Sequence, residues 1–215
     1  MMNETQIRQE LIQYALKLNT SGLSSGKSGN VSTRYGDGML ITPSAIEYHE
    51  LACNDIVYLD LAEEPAVKSN IQPSSEWRFH RDVYLSRKDI NAIVHTHSTY
   101  CTALACTGRS IPAFHYMVAI AGGKDIPIAP YALFGTEQLS KNVVLCLRLR
   151  QACLMANHGM IAIGNSLPNS FKLAAEIEVL AEQYCEALKL GAVNLLNDQQ
   201  MDEVLDKFVH YRQRV

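Results

Sequence analysis

The spacing of apolar residues predicts helices along much of the chain. In the first segment Ile7, Leu11, Ala15 and Leu18 recur three or four positions apart, which is the spacing of one helix face and predicts a helix over residues 5–18. Serines followed by an acid predict a further helix start near Glu76. The remaining predicted helices run from there to about residue 86, through Cys101 and Leu104, from 135 to about 148, over 169–190 and over 202–212.

Shorter apolar runs predict strands. Residues 31–35 and 39–42 are joined by Gly36, Asp37 and Gly38, a tight connection that is typical of a hairpin. Three more strands are predicted, at 56–61, 92–97 and 152–156. Because strands and helices alternate while the hairpin argues against a purely parallel sheet, we expect one domain over residues 1–215. Its fold is expected to be three-layer α/β/α, with a mixed, largely antiparallel central sheet and helices on both faces.

Charge and composition narrow the functional classes. The chain has 19 Lys and Arg against 22 Asp and Glu, a formal charge of -3, and no block of like charge. It therefore offers no binding surface typical of nucleic-acid or anionic-membrane partners. Its start lacks the pattern of a signal peptide, and no apolar run approaches the roughly 20 residues of a membrane span, so we expect a cytoplasmic protein. The six cysteines lack zinc-ribbon spacing and are expected to be small buried residues.

Three histidines fall at predicted strand ends. His95 and His97 are two residues apart, so both imidazoles leave the same face near the carboxyl end of their strand and can reach one metal ion. His158 ends a different buried strand and could enter the same site from across the sheet. A single histidine in such a place is more often a satisfied polar residue, whereas three together favour a catalytic zinc site with an open position.

Glu76 is the fourth candidate for this site. A carboxylate near zinc can be a ligand or, once displaced, a general base, although an isolated glutamate in a first helical turn more often interacts with the helix dipole. His80 lies one helical turn after Glu76 and could compete for a ligand role. Because the strand ends already supply three imidazoles, we interpret His80 as structural.

Several segments carry the amide and hydroxyl donors that suit a phosphate group. They are the loop 26–30, the turn 42–44 and the pair Ser74 and Ser75 at a predicted helix start, where free amides and the helix dipole favour an anion. Each segment alone is more often an ordinary loop or cap. Their convergence on one site is a hypothesis that the spacing does not test.

Taken together, these segments resemble the class II aldolase and epimerase family. The matching stretches are 29–32 (GNVS), 38–43 (GMLITP), 73–80 (PSSEWRFH), 95–97 (HTH), 115–117 (HYM) and 157–159 (NHG). The resemblance runs from the first helix to about Tyr211 without large gaps, and it is more specific for the family than for the substrate.

This resemblance implies a zinc-dependent aldolase that reversibly cleaves a ketose 1-phosphate, in the first instance L-fuculose 1-phosphate, to dihydroxyacetone phosphate and L-lactaldehyde. It implies that His95, His97 and His158 hold zinc, with Glu76 as an exchangeable ligand and proton-transfer base. It also implies that the phosphate lies against a set of donors, namely Lys27, Ser28, Asn30, Ser44, Ala45, Ser74 and Ser75.

The same resemblance implies a fourfold (C4) homotetramer with its sites at subunit interfaces. In the family a tyrosine from the neighbouring subunit protonates the aldehyde oxygen, and Tyr116 matches it. Tyr211 matches a further tyrosine of the C-terminal segment. Away from such a site, tyrosines are most often amphipathic packing residues.

Three residues depart from the phosphate loops of the family members that act on fuculose phosphate. Lys27 and Ser28 stand where we expect threonine and alanine, and Ala45 stands where we expect glycine. These changes leave open a 5-deoxyribulose 1-phosphate or methylthioribulose 1-phosphate aldolase of nucleoside salvage. An epimerase or a dehydratase of the same fold also stays open, as does a zinc-binding module without turnover. The family's epimerases tend to carry aspartate in place of Glu76, which favours the aldolase.

Overall fold

One sheet runs through the centre of the computed structural model, which describes residues 2–63 and 71–212, with side chains as far as residue 208. Its strands are β1 (Asn30–Tyr35), β2 (Gly38–Ile41), β3 (Val57–Asp60), β4 (Ala92–Thr96), β5 (Ile128–Ala129), β6 (Ala152–Met155) and β7 (Gly159–Gly164). Their order is β3-β2-β1-β4-β7-β6-β5, and every neighbouring pair is antiparallel except β5 and β6. The predicted mixed, largely antiparallel sheet is confirmed.

Helices cover both faces of this sheet. They are α1 (Glu4–Thr20), α2 (Trp77–Ser86), α3 (Thr99–Cys106), α4 (Glu137–Cys146), α5 (Leu167–Leu190) and α6 (Asp198–Arg212). On one face α1, α3 and α5 contribute Leu11, Leu104 and Ile177 to a buried apolar layer. On the other face α2 and α4 contribute Val83 and Val143 to a second layer. The three-layer α/β/α fold is therefore confirmed.

The alternation of side chains along the strands decides which face carries chemistry. Val31 and Val94 point into the layer of α1, α3 and α5, so their neighbours point the other way. Asn30 and Ser32 of β1 and His95 of β4 consequently face the side that α2 covers. The polar residues of the site thus lie between the sheet and α2.

The structure corrects several predicted boundaries. The sequence predicts no strand over β5 or β7. The last predicted strand ends at residue 156 and so misses β7, although β7 is apolar at almost every position. The helix predicted over 202–212 begins at Asp198, and the helix predicted over 5–18 spans Glu4–Thr20. The earlier start of α1 has a local cause, since Asn3 and Gln6 form a capping box in which each side chain accepts from the other's backbone amide.

The expectation of six buried cysteines is wrong in part. Cys101 and Cys153 are buried, but Cys106 is exposed at the last turn of α3, and Cys53, Cys146 and Cys185 are partly exposed. Within the described ranges, no helix combines the length and the apolar character needed to cross a membrane.

Candidate active site

The pairing of β1 with β4 brings the first site residues together. Asn30 lies directly opposite His95 in the antiparallel register of the two strands. Gly29, just before β1, has a φ of +83°, and a Cβ there would lie 2.7 Å from the carbonyl oxygen of His95. A glycine is therefore required for the loop to pass this close to the histidine strand.

His95 and His97 point their Nε2 atoms at the same place. The two Nε2 atoms are 3.0 Å apart, and the Nδ1 of His95 lies 2.8 Å from the carbonyl oxygen of Met160 on β7. A carbonyl oxygen only accepts hydrogen bonds, so Nδ1 of His95 carries the proton and its Nε2 has a free lone pair in the neutral ring. This orientation is the one that a metal-binding histidine adopts.

His158 joins the same group, but it does not end a strand as predicted. β6 ends at Met155, and His158 lies in the tight turn that leads into β7. Asn157, one residue earlier, has a φ of 55°, a left-handed conformation that asparagine tolerates better than most residues. Because β7 lies between β4 and β6 in the sheet, this turn places His158 next to His95, with ring centroids 4.9 Å apart.

Glu76 completes the group from the α2 side. The predicted first-turn position is wrong by one residue, because Glu76 is the residue before α2 and its side chain caps no helix amide. Instead its Oε2 lies 3.0 Å from Nε2 of His95, and its Oε1 lies 2.9 Å from Nε2 of His158. The carboxylate therefore faces the histidines.

These four side chains fit a metal ion. The candidate ligand atoms of Glu76, His95, His97 and His158 all lie within 4.8 Å of one another. Ligand atoms around one zinc ion are roughly 3 to 3.5 Å apart, since each lies about 2 Å from the ion. The lone pairs of the group meet at close range, and Glu76 Oε1 is buried with no hydrogen bond among the described residues beyond its contact with Nε2 of His158. A cation satisfies all of these atoms at once.

The acid–base properties of the group agree with that fit. Burial and the neighbouring imidazoles of His95 and His158 lower the pKa of His97 to about 3, so its ring is neutral and able to bind a metal at neutral pH. Burial alone would raise the pKa of Glu76, but the electrostatic interactions and hydrogen bonds that His95 and His158 make with the carboxylate outweigh burial and hold that pKa well below its usual range. A metal ion would supply charge of the same sign.

His80 lies outside this group, in keeping with its structural interpretation. Its Nδ1 is 2.7 Å from Oγ of Ser32, and its Nε2 is 2.5 Å from Oδ1 of Asn30. Both ring nitrogens are thus occupied by neutral partners. Asn30 in turn donates from Nδ2 to Oε2 of Glu76 at 2.9 Å.

A cavity of about 510 Å³ opens beside the metal-binding group and falls within the size range of small-molecule sites. Glu76, His97 and His158 line it. So do all of the residues predicted to contact phosphate, which are Lys27, Ser28, Asn30, Ser44, Ala45, Ser74 and Ser75. The structure therefore brings together segments that lie far apart in the sequence.

The hydroxyl groups of this wall differ in what they can offer. Oγ of Ser44 donates to the carbonyl of Pro73 at 2.8 Å, and Oγ of Ser28 donates to the carbonyl of Ser25 at 2.6 Å. Among the residues that the structure describes, Oγ of Ser74 only accepts, from the amide of Glu76, so its proton can point into the cavity. Ser75 is exposed at the same helix start.

Lys27 and Ala45 meet at one side of the cavity. Nζ of Lys27 lies 3.5 Å from the carbonyl oxygen of Ala45 and 3.9 Å from Oε1 of Glu47. Ala45 has a φ of 66°, a left-handed conformation that costs a residue with a Cβ about 1–2 kcal/mol. This position is the one where the resemblance leads us to expect glycine.

Of the two predicted tyrosines, the structure describes the side chain of Tyr116 alone, and it is not part of the cavity wall. Tyr116 is 51% exposed at the start of a 3-10 helix, Tyr116–Ala121, and does not line the cavity. Tyr211 falls in the last turn of α6, outside the residues whose side chains are described. The site residues that the sequence analysis misses are Tyr131, Ala132 and Phe134, which line the cavity. The sequence signal for them is their apolar character next to Pro130. In the structure 61% of Tyr131 and 60% of Phe134 is exposed.

Known proteins share this sequence and fold over nearly the whole chain. Residues 9–185 match the family described as class II aldolase and adducin N-terminal domain. A 5-methylthioribulose-1-phosphate/5-deoxyribulose-1-phosphate aldolase of Rhodospirillum rubrum is 49% identical over 205 residues, covering 95% of this chain and 92% of that protein. The L-fuculose phosphate aldolase of Escherichia coli K12 is 45% identical over 215 residues, covering 100% of this chain and 99% of that protein.

A solved structure of an L-fuculose 1-phosphate aldolase superposes on this fold with a TM-score of 0.90. It is 41% identical, covering 96% of this chain and 98% of its own. The sequence match spans most of the chain, and the metal-binding group lies beside a cavity lined with anion donors. The chain belongs to the class II aldolase family and is a class II aldolase, a lyase with a Glu–His₃ metal-binding group.

Proposed function

We propose that this protein is a zinc-dependent aldolase of one domain that reversibly cleaves L-fuculose 1-phosphate to dihydroxyacetone phosphate and L-lactaldehyde. The observation that carries the proposal is that the Glu76, His95, His97 and His158 group and the proposed phosphate donors meet at one cavity. A ketose 1-phosphate carries its carbonyl and its phosphate on neighbouring carbons. A metal-binding group next to phosphate donors therefore matches this substrate.

The histidines are the permanent ligands in this proposal. Zinc held by His95, His97 and His158 would supply a Lewis acid that draws electron density from the ketose carbonyl. The choice of zinc rests on three imidazoles with an open position, a set that also suits cobalt or manganese. Glu76 would complete the set of residues that hold the ion, as an exchangeable ligand.

Glu76 then carries protons at the donor carbon of dihydroxyacetone phosphate. Its carboxylate lies against the histidines and lines the cavity, so it can reach both the ligand position and the substrate. Asn30 donates to its Oε2 and stabilises the negative charge of the carboxylate. A carboxylate in this position is suited to general base catalysis.

The phosphate is proposed to lie against the donors of the cavity wall. Ser74 and Ser75 stand just before α2, where the helix dipole favours an anion, and their hydroxyl groups supply donors. Lys27 supplies a positive charge from its own loop. Asn30 adds the Nδ2 hydrogen that Glu76 does not use. The amides of Ser28 and Ser44 themselves are bonded to the carbonyls of Ser25 and Gln72, so backbone donors are proposed from their neighbours, near Lys27 and Ala45.

The aldehyde end of the substrate requires a second subunit. Tyr116 is exposed and away from the cavity of its own chain, as expected for a residue that reaches a neighbouring site. We propose a C4 tetramer in which Tyr116 takes the proton from the hydroxyl that becomes the aldehyde and returns it in condensation. Tyr211 is proposed to approach the same end of the substrate.

A second substrate class is favoured by one feature of the cavity. Tyr131 and Phe134 give its rim an apolar character, which suits the methyl or methylthio end of 5-deoxyribulose 1-phosphate or methylthioribulose 1-phosphate. The Rhodospirillum rubrum relative bears the name of such an activity. Both classes share the dihydroxyacetone phosphate half and differ in the aldehyde.

A direct assay separates these proposals. Zinc-loaded protein is incubated with L-fuculose 1-phosphate or with 5-deoxyribulose 1-phosphate, and dihydroxyacetone phosphate is followed through a coupled reductase. We expect release that a chelator abolishes and zinc restores, with a higher kcat/KM for fuculose phosphate. A higher kcat/KM for the deoxy sugar would assign the second class. No release from either substrate would contradict the proposed cleavage and direct the work to epimerase and dehydratase assays.

A further inference from the structure

A chain of buried hydrogen bonds leads from α2 through β1 to the carboxylate of Glu76. The hydroxyl of Tyr84 lies 2.9 Å from Oγ of Ser32, which lies 2.7 Å from Nδ1 of His80. Nε2 of His80 lies 2.5 Å from Oδ1 of Asn30, and Nδ2 of Asn30 lies 2.9 Å from Oε2 of Glu76. All five side chains are buried, so solvent does not replace these partners.

The Glu76 end of this chain fixes the direction of the bonds nearest to it. An ionised carboxylate only accepts hydrogen bonds, so the Asn30 amide must present Nδ2 to Glu76. Its oxygen then faces His80 and requires a donor there. Nε2 of His80 therefore carries a proton.

The other end of the chain supplies the complementary constraint. With Nε2 protonated, the neutral ring of His80 accepts at Nδ1, and Ser32 is the donor placed to satisfy it. Ser32 can donate to His80 because the hydroxyl of Tyr84 can donate to Ser32. Burial raises the pKa of the Tyr84 hydroxyl, so this group keeps its proton over the physiological range.

The tautomer of His80 and the orientation of the Asn30 amide are thus linked. If the proton moved to Nδ1, the bare Nε2 would require a donor from Asn30, and the amide would have to turn its oxygen toward Glu76. Two acceptors would then face each other in a buried site, which is strongly unfavourable. Each tautomer of His80 permits one orientation of the amide.

We propose that His80 is a positioning residue: by holding its Nε2-protonated tautomer in the Tyr84–Ser32–His80–Asn30 chain, it fixes the Asn30 amide as a permanent donor to Glu76. The consequence is a carboxylate whose two oxygens are both aimed at the histidine group. The inference rests on the proposed metal function, because it assigns a partner to the exchangeable ligand. It makes His80 a part of the site without contact to metal or substrate.

The surroundings of His80 support a neutral ring. Burial and the nearby His95 lower the pKa of His80 to about 3, with Glu76 acting in the opposite sense. Phe79 stacks on it with ring centroids 4.8 Å apart. A ring that stays neutral at physiological pH and is clamped between Ser32 and Asn30 keeps one tautomer.

The test measures the metal site without substrate. Metal-free wild type, His80→Leu and His80→Gln are titrated with Co²⁺, whose visible spectrum reports ligand geometry, and their zinc affinities are measured by competition with a chromophoric chelator. Glutamine places an amide N–H near the position of Nε2 and can donate to Asn30. We expect His80→Leu to shift the cobalt spectrum and weaken zinc binding by about 10- to 100-fold, and His80→Gln to restore much of both.

A matched control separates positioning from packing. Ser140 is also fully buried, on α4, and its hydroxyl donates to Asp82 at 2.6 Å. Ser140→Ala should lower thermal stability and leave the cobalt spectrum and zinc affinity as in wild type. A folded His80→Leu with wild-type spectrum and affinity would overturn the proposal, and so would a His80→Gln as impaired as His80→Leu.

Smaller changes carry the test if His80→Leu does not fold. Ser32→Ala and Tyr84→Phe remove one hydroxyl each from the chain, and we expect each to weaken zinc binding less than loss of the ring does. Wild-type zinc affinity and spectrum in both would overturn the inference. If wild type itself binds neither metal, the proposed function fails as well, whereas wild-type binding with unchanged variants refutes the positioning role alone.

Discussion

The Nε2 atoms of His95 and His97 lie 3.0 Å apart at the end of β4, and Nδ1 of His95 is held by a carbonyl on the neighbouring strand. Because this carbonyl holds the ring of His95, that imidazole keeps its orientation whatever Glu76 does. The metal-binding group therefore combines histidines from the sheet and its turn with a carboxylate from the start of α2. This division of roles leads to the first prediction.

Glu76→Gln should bind zinc more weakly than wild type, keep it when zinc is in excess, and lose turnover. Three imidazoles remain to hold the ion, but a neutral amide cannot accept a proton as a general base. We therefore expect kcat to fall by about 10²- to 10⁴-fold. Metal content and the coupled assay measure the two properties separately. Glu50→Gln, an exposed carboxylate outside the cavity, serves as the control and should keep both. Loss of zinc together with activity would show instead that Glu76 is a ligand that the ion requires.

Lys27→Met should raise KM for the sugar phosphate and leave kcat near the wild-type value. The lysine is half-exposed and its contact with Glu47, 3.9 Å long, is weak, so little is lost when the ammonium group turns toward a phosphate. An exposed charge contact of roughly 1 kcal/mol corresponds to about a fivefold change in KM. The difference from wild type should shrink as salt is added.

Lys141→Met is the matched control for this charge. Lys141 pairs with Glu137 on α4, does not line the cavity and should leave KM unchanged. An unchanged KM in Lys27→Met at low salt would remove Lys27 from the phosphate site. A large fall in kcat would show that the lysine acts on the reaction itself.

Much of the fold and the metal-binding group follows from local patterns in the sequence. The two-residue spacing of His95 and His97 requires only that their segment is a strand, because side chains alternate. The same reasoning assigns His158 to the right group but to the wrong place, because the prediction ends the strand at residue 156 and does not recognise the apolar run of β7 that follows. That His158 lies beside His95 depends on the pairing of β7 with β4, which local periodicity does not give.

The hydrogen-bond network could not be predicted in the same way. Asn30 and His80 are 50 positions apart, and their contact depends on how α2 packs on β1. Ser44 illustrates the opposite outcome, because its hydroxyl is occupied by Pro73 across a bridge that only the folded chain forms. Donor type can be predicted from sequence, whereas donor availability depends on tertiary contacts.

Ala45→Gly should stabilise the protein. Relief of the left-handed conformation gains about 1–2 kcal/mol, and the greater freedom of glycine in the unfolded chain costs about 0.5–1 kcal/mol, so we expect a net gain of roughly 1 kcal/mol. Chemical denaturation measures it. Ala52→Gly is the control, because Ala52 is also exposed but has an ordinary φ of -107°, and it should be destabilised. A loss of stability in Ala45→Gly would contradict the strain.

The metal-free protein should lose stability as the pH falls below about 6.5, partly through His80. The folded pKa of His80 is about 3 against 6.5 for a free ring, so the unfolded chain binds the proton first. The contribution of His80 to the free energy of unfolding is therefore fully present above pH 6.5. It is lost as the pH falls toward 3, at up to about 1.4 kcal/mol per pH unit. The titratable groups facing the ring are Glu76 and Tyr84 on the α2 side and His95 on β4.

His80→Gln isolates this contribution from that of other histidines. Its free energy of unfolding, measured by denaturant titration between pH 4 and 8, should depend less steeply on pH than that of wild type. The two slopes should coincide above pH 7. Equal slopes below pH 6 would mean that His80 does not remain neutral in the folded protein.

Hybrid tetramers should recover activity from two inactive variants. If each site combines Glu76 of one subunit with Tyr116 of its neighbour, Glu76→Gln and Tyr116→Phe are each defective in every site. Random mixing of equal amounts leaves both residues intact in about one quarter of the sites, and activity should approach that fraction of wild type. Co-expression with two affinity tags and sequential purification gives the hybrids for assay.

The distribution of the mutations within a subunit provides the control. In a hybrid of wild-type subunits with the double variant Glu76→Gln and Tyr116→Phe, the number of altered residues is the same, but both substitutions lie on the same subunit. Its activity should also be about one quarter of wild type, because a site is intact only where two wild-type subunits meet in the right order. If Tyr116 acted within its own chain, the double-variant hybrid would keep about half of the activity, and the mixture of single variants would recover none.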